Sequence, residues 1–164
     1  MKRFLLLLLV LPLGCNRGFF AAHGTLSSDG GTFGHWNSKP VGCSRDPIDG
    51  RPSPTSASIA SFFWEDPADH DIRLRDQNAP MAPDAPLRLD FLKENGAFLA
   101  RFETVKTPGT RLDASVCTTL NLQTLEEPAT YANGRPTLRG TVQLDCRLKA
   151  SHLTGNFQFE RCEF

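Results

Sequence analysis

Apolar and polar residues alternate with a period of two through most of the second half of this chain. Leu87, Leu89 and Phe91 alternate with polar neighbours, and so do Phe98, Ala100 and Phe102. Successive side chains of an extended strand point to opposite faces, so each run predicts a strand with one buried face. Between them lies Lys93-Glu94-Asn95-Gly96, and Asn-Gly flanked by alternating runs predicts a tight hairpin. Leu120 and Leu122 alternate with Thr119, Asn121 and Gln123. Leu138, Gly140, Val142, Leu144, Cys146 and Leu148 then hold one face of a long strand, and Leu153, Gly155, Phe157 and Phe159 hold another after a turn near Ala150-Ser151-His152. No segment carries a sustained 3.6-residue apolar stripe; Leu112, Val116 and Leu120 allow one or two helical turns at most.

The first half is punctuated differently. Eight of the twelve prolines fall between residues 40 and 86. Proline lacks the N–H that a β-ladder needs, so this stretch reads as loop, interrupted by one apolar strand from Ser56 to Trp64. Residues 24–36 are rich in glycine and carry Thr, Phe and Trp, which predicts an edge hairpin around Ser28-Asp29-Gly30-Gly31. The fold class expected is therefore all-β: an antiparallel β-sandwich, or a barrel-like meander, of seven to eight strands with long proline-rich loops.

The N-terminus follows another logic. Lys2 and Arg3 precede an apolar run from Phe4 to Leu13, and Gly14-Cys15 follows. Roughly 20 apolar residues are needed to span a bilayer as a helix, so this shorter run reads as the apolar core of an export signal. The segment Leu11-Pro12-Leu13-Gly14-Cys15 resembles the lipobox of bacterial lipoproteins. That resemblance implies lipidation of the Cys15 thiol, cleavage before it, a signal peptide over residues 1–14 and a lipidated cysteine and tether over 15–23. A single β-rich domain would then occupy 24–164. Asn16, in place of the aspartate that marks inner-membrane retention in that family, implies the outer membrane, facing the periplasm or the cell surface. Ordinary secretion with a cut after Ala22 is the competing reading.

Five cysteines sharpen this picture: Cys15, Cys43, Cys117, Cys146 and Cys162. Without Cys15 four remain, and an exported chain meets an oxidising compartment, so two disulfides are expected. Their wide spacing lacks the close ligand pairs of a structural zinc site. Three pairings are open. An antiparallel pairing of residues 118–124 with 138–147 brings Cys117 near Cys146, which favours Cys117–Cys146 and leaves Cys43–Cys162.

Charge excludes one class of partner. Without Lys2 and Arg3 the chain has 16 basic and 18 acidic residues, which gives no electrostatic footprint for nucleic acid. Attachment to the membrane would come from the acyl chains, at about 0.8 kcal/mol per buried CH₂.

Candidate chemistry is sparse. Glu65, Asp66, Asp69, His70 and Asp71 form an oxygen-rich loop cluster, but without the ligand spacing of an EF-hand. Cys43-Ser44-Arg45-Asp46-Pro47-Ile48-Asp49-Gly50 reads as consecutive turns. His23, His35, His70 and His152 are scattered, and no serine lies in a G-x-S-x-G elbow. No catalytic residue, metal ligand or cofactor is assigned from this pattern. Gly34-His35-Trp36 resembles the G-x-W signature of the lipocalin family, which implies an eight-stranded barrel around a small apolar ligand. The whole plan resembles small bacterial envelope lipoproteins with a cysteine-stapled β domain. The function expected is a lipid-anchored, non-catalytic binding or structural module with an envelope protein as a further partner. A lipocalin-like ligand carrier and a periplasmic enzyme whose site assembles only in space are the alternatives.

Overall fold

The computed structural model describes residues 20–44, 56–64, 86–128 and 136–162. Among them run ten strands: β1 (Ala21–Asp29), β2 (His35–Ser38), β3 (Gly42–Ser44), β4 (Ser56–Phe63), β5 (Pro86–Glu94), β6 (Ala97–Thr104), β7 (Thr110–Leu112), β8 (Cys117–Glu127), β9 (Thr137–Leu148) and β10 (Ser151–Cys162). One 3-10 turn, Gly31–Phe33, joins β1 to β2. Every pairing is antiparallel, in two five-stranded sheets. Sheet I has the order β2-β1-β10-β9-β8, and sheet II has the order β3-β4-β5-β6-β7. The expected all-β, sandwich-like class holds, with more strands than the seven or eight the patterning suggests. Among the described residues no helix is long and apolar enough to cross a membrane.

The period-two pattern builds the interface. Leu26, Val142, Leu144, Leu153, Phe157 and Phe159 are buried on sheet I, and Phe62, Leu89, Phe91, Ala100, Phe102 and Leu112 on sheet II. The two sets belong to one apolar cluster. Phe62 meets Phe157 and Phe159 edge-on, at centroid distances of 5.1 and 4.9 Å, and Phe33 meets Phe102 edge-on at 5.1 Å. Edge-to-face contact sets the positive rim of one ring against the negative face of the other, which adds to the burial energy.

Turn chemistry sets the registers. Asn95 and Gly96 have φ of 51° and 82°, the left-handed pair that a two-residue hairpin requires. They fix Glu94 opposite Ala97. The β9–β10 turn falls at Lys149-Ala150, with Ser151 opposite Leu148. A bulge in β10 between Phe159 and Cys162 carries Arg161 at φ 61°. Strict alternation would place Cys162 on the outer face with Gln158 and Glu160. The extra residue turns it inward, where it is fully buried and bonded to Cys43 of β3. This bond spans the sheets, whereas Cys117–Cys146 crosses neighbouring strands β8 and β9 of sheet I. Both are the favoured pairings.

Several expectations change. Cys43 sits in a strand: β3 lies inside the stretch read as loop and pairs with β4. β1 starts at Ala21, so Ala21, Ala22 and His23 belong to the sheet and not to the tether. The candidate helical turns around Leu112, Val116 and Leu120 reduce to one tight turn. The Val116 and Cys117 N–H groups donate to the Asp113 carbonyl, and the Ser115 N–H and hydroxyl donate to the Asp113 carboxylate. The closed eight-stranded barrel implied by Gly34-His35-Trp36 gives way to two sheets with aromatic rings between them. Trp36 itself packs 5.7 Å from the Phe102 ring and donates its Nε1–H to the Phe33 carbonyl at 2.6 Å.

Phe62→Ala empties the centre of this interface, and the expected cost is about 3–5 kcal/mol, read from urea unfolding under oxidising conditions. Val105→Ala, at an exposed position, changes stability by less than about 0.5 kcal/mol. Alkylation of the unreduced, unfolded protein leaves Cys43, Cys117, Cys146 and Cys162 unmodified; modification at Cys43 or Cys162 would remove the inter-sheet bond from this account.

Candidate functional site

The outer faces of the two sheets differ in chemistry, and the difference singles out one of them. Sheet II carries ion pairs. Arg88 meets Asp90 at 2.8 Å and Glu103 at 3.6 Å, and Arg101 meets Glu94 at 2.8 Å. Arg111 bridges Glu94 and Asp113. These partners raise the Arg111 pKa, and Asp113 is lowered to about 2, first by the Ser115 hydroxyl and then by Arg111. The charges neutralise one another in place, in high dielectric, where such pairs contribute little to stability.

Sheet I instead presents hydroxyls and amides. Its outward positions alternate with the buried leucines and phenylalanines and line up across the strands. One row runs His23, Gln158, Thr141, Gln123 from β1 to β8. The next runs Thr25, Asn156, Gln143, Asn121, and the third runs Asn37, Ser27, Thr154, Asp145, Thr119. Of these side chains only His23 and Asp145 titrate. Gln123, Gln143, Asn156 and Gln158 are exposed, and among the described residues no protein group takes their amides. A side-chain amide offers two donors and an acceptor in one plane, so the first two rows are arrays of unspent hydrogen-bonding capacity.

At one end of this face lies an open depression of about 430 Å³, lined by residues 123–125 of β8, 139–141 of β9 and 158–160 of β10. Gly140 underlies it. A Cβ at this position would stand 1.9 Å from the Gln123 carbonyl oxygen, so the close approach of β8 to β9 here requires glycine. Arg139, paired with Glu127 at 3.2 Å, and Glu160 bring opposite charges to its rim. Exposed Leu125 supplies an apolar wall.

The opposite end carries the main titratable cluster of sheet I. His152 Nε2 lies 2.7 Å from Asp145 Oδ1, its Nδ1 lies 3.7 Å from Asp29 Oδ2, and its backbone N–H donates to Asp29 Oδ1 at 2.8 Å. The contact with His152 is the largest cause holding the Asp145 pKa below its ordinary value. Each ring nitrogen faces a carboxylate, so the imidazole ties β10 to β1 and β9. Among the described residues no hydroxyl lies against a histidine nitrogen, and no three His, Cys, Asp or Glu side chains converge as metal ligands.

Of the residues singled out by sequence, Cys43, Cys117, Cys146 and Cys162 meet as two disulfides, and half-buried Trp36 packs against the core. Cys15 and the cluster Glu65, Asp66, Asp69, His70 and Asp71 lie outside the described residues. The rows of sheet I are not among the residues that the sequence singles out. Their signal is the polar half of the alternation: Thr119, Asn121, Gln123; Thr141, Gln143; and Thr154, Asn156, Gln158 are uncharged at consecutive outward positions. Comparison of the chain with protein-family models, with curated proteins and with solved structures finds no match.

A carboxylate with a depressed folded-state pKa adds stability above its unfolded value, lost as pH falls through the folded one. For Asp113 that window runs from 3.8 down to about 2. For Asp145 it lies below 3.8, and His152→Ala is expected to move its titration up toward that value in carboxyl-carbon NMR, while Asp113 stays at about 2. An unmoved Asp145 titration would show that His152 is not the group that holds it.

Proposed function

We propose that this chain is an exported, lipid-anchored envelope protein that acts by binding, through the outer face of sheet I. The observation that carries the reading is the fate of the cysteines. Four of the five are consumed in Cys43–Cys162 and Cys117–Cys146. Disulfides persist in oxidising compartments, which favours export. Cys15 is left over, and it directly follows the short apolar run and Gly14.

The position of β1 supports the lipobox over ordinary secretion. A cut after Ala22 would remove Ala21 and Ala22, which pair with Glu160 and Phe159. A cut before Cys15 keeps the strand whole. Residues 16–20 then form the link between the acylated cysteine and the sheet, and five extended residues reach about 17 Å. Ala21 lies opposite Glu160, which lines the depression. The neutral, hydrogen-bonding character of that face favours a binding role over chemistry, since catalysis needs a nucleophile, a base and an oxyanion donor held together. Asn16 favours the outer membrane.

Labelling with a palmitate analogue tests the anchor. Wild type is expected to incorporate label and to fractionate with membranes. Cys15→Ala is expected to lose the label and to appear in the soluble envelope fraction. Label retained by Cys15→Ala would sink the reading.

A further inference from the structure

The four edges of the two sheets are not alike. β2 has four residues, β3 three and β7 three, whereas β8 has eleven. An edge strand exposes a row of unpaired N–H and C=O groups, and proteins commonly blunt such edges by keeping them short. Three of the edges here follow that rule and one breaks it. β8 carries no proline, no lysine and no arginine, and its only charges are Glu126 and Glu127 at one end. Thr118, Thr119 and residues 123–126 are exposed, and among the described residues no strand pairs with the outer edge of β8. Leu125, on the same strand, is 55 % exposed, the most exposed of the large apolar side chains among the described residues.

We infer that β8 is a self-association edge, on which a second copy of this chain adds its own β8 antiparallel across a two-fold axis at Leu122. The register follows from face and charge. Pairing must set inward side chains against inward ones, because a one-residue slip would turn the apolar face to solvent. An axis at Leu122, the midpoint of Cys117–Glu127, satisfies this from Thr119 to Leu125, up to the bulge between Cys117 and Thr119. On the inner face Leu122 meets its own copy and Leu120 meets Thr124. On the outer face Asn121 meets Gln123, and Thr119 meets Leu125. Glu126 and Glu127 fall toward the uncharged, bulged end Cys117-Thr118 of the other copy, so no like charges oppose each other, as a stable isologous contact requires. The two sheets I then form one ten-stranded sheet, and the amide rows of one copy continue into those of the other. This does not depend on the anchor at Cys15.

The test is sedimentation equilibrium on the mature protein, in density-matched detergent where it carries lipid. Wild type is expected to sediment as a dimer. Asn121→Lys with Gln123→Lys sets two pairs of ammonium groups against each other at outward positions that take no part in the core. Its dimer Kd is expected to rise on the order of 100-fold, with an unchanged thermal midpoint at dilutions where both proteins are monomeric. Asn121→Glu with Gln123→Glu is expected to do the same, and mixing the two variants is expected to restore a heterodimer. A monomeric wild type overturns the inference. So does a lysine variant that remains dimeric, because the contact would then lie elsewhere, and so does a mixture that stays monomeric.

Discussion

The packing of Phe62 against Phe157 and Phe159 is the contact from which the rest of the molecule follows. β10 lies at the centre of sheet I, between β1 and β9. Once its odd-numbered side chains turn toward Phe62, its even-numbered ones turn outward. The pairings with β1, β9 and β8 pass that choice across the sheet. The amide rows, the His152 clamp and the depression all sit where they do because Phe157 and Phe159 are buried. The bulge at Arg161 interrupts that alternation within β10, and it converts an outward position into the buried end of the Cys43–Cys162 bond. Aromatic packing and a covalent link thus join the sheets along the same strand.

The two outer faces handle their polar groups in opposite ways. On sheet II every arginine named above finds a carboxylate within 4 Å, so the face is crowded with charge yet nearly neutral in its field. On sheet I the charged groups are gathered at the two ends, and the rows between them carry neutral amides and hydroxyls. A partner approaching sheet II would have to break existing ion pairs and desolvate charges, whereas one approaching sheet I meets donors and acceptors shared only with water. That contrast in desolvation cost is the physical basis for reading sheet I as the working surface.

Local chemistry made much of this fold legible. The Asn95-Gly96 hairpin, the inward positions of β5, β6, β9 and β10, and both disulfides could be read from alternation and turn residues. What escaped depends on distant partners. β3 is three residues long and exists because β4 offers it a ladder and Cys162 a bond; nothing within Gly42-Cys43-Ser44 announces a strand. The start of β1 was hidden for the same reason, since Ala21 and Ala22 are strand only opposite Glu160 and Phe159. The rows of sheet I needed the registers of four strands at once. Single strands show uncharged outward residues, but only the pairing lines them up. Gly34-His35-Trp36 is too short to decide, because a tryptophan two residues after a glycine fits a packed sandwich as well as a barrel mouth.

The pairing of the first strand with the last has a consequence for how such a chain comes to be folded. A polypeptide that crosses a membrane with its N-terminus leading delivers β1 and Cys43 early and β10 late. Sheet II can zip up strand by strand as it emerges, because each of its strands pairs with the next in sequence. Sheet I cannot close until the final residues arrive. Throughout that interval Cys43 stands beside an unfinished interface with its native partner still undelivered, while Cys117 and Cys146 become available before Cys162. Oxidation that outruns delivery would trap the wrong loop. For an exported chain with this strand order, the order of translocation and the presence of a catalyst that can reshuffle thiols would therefore belong to the conditions of folding.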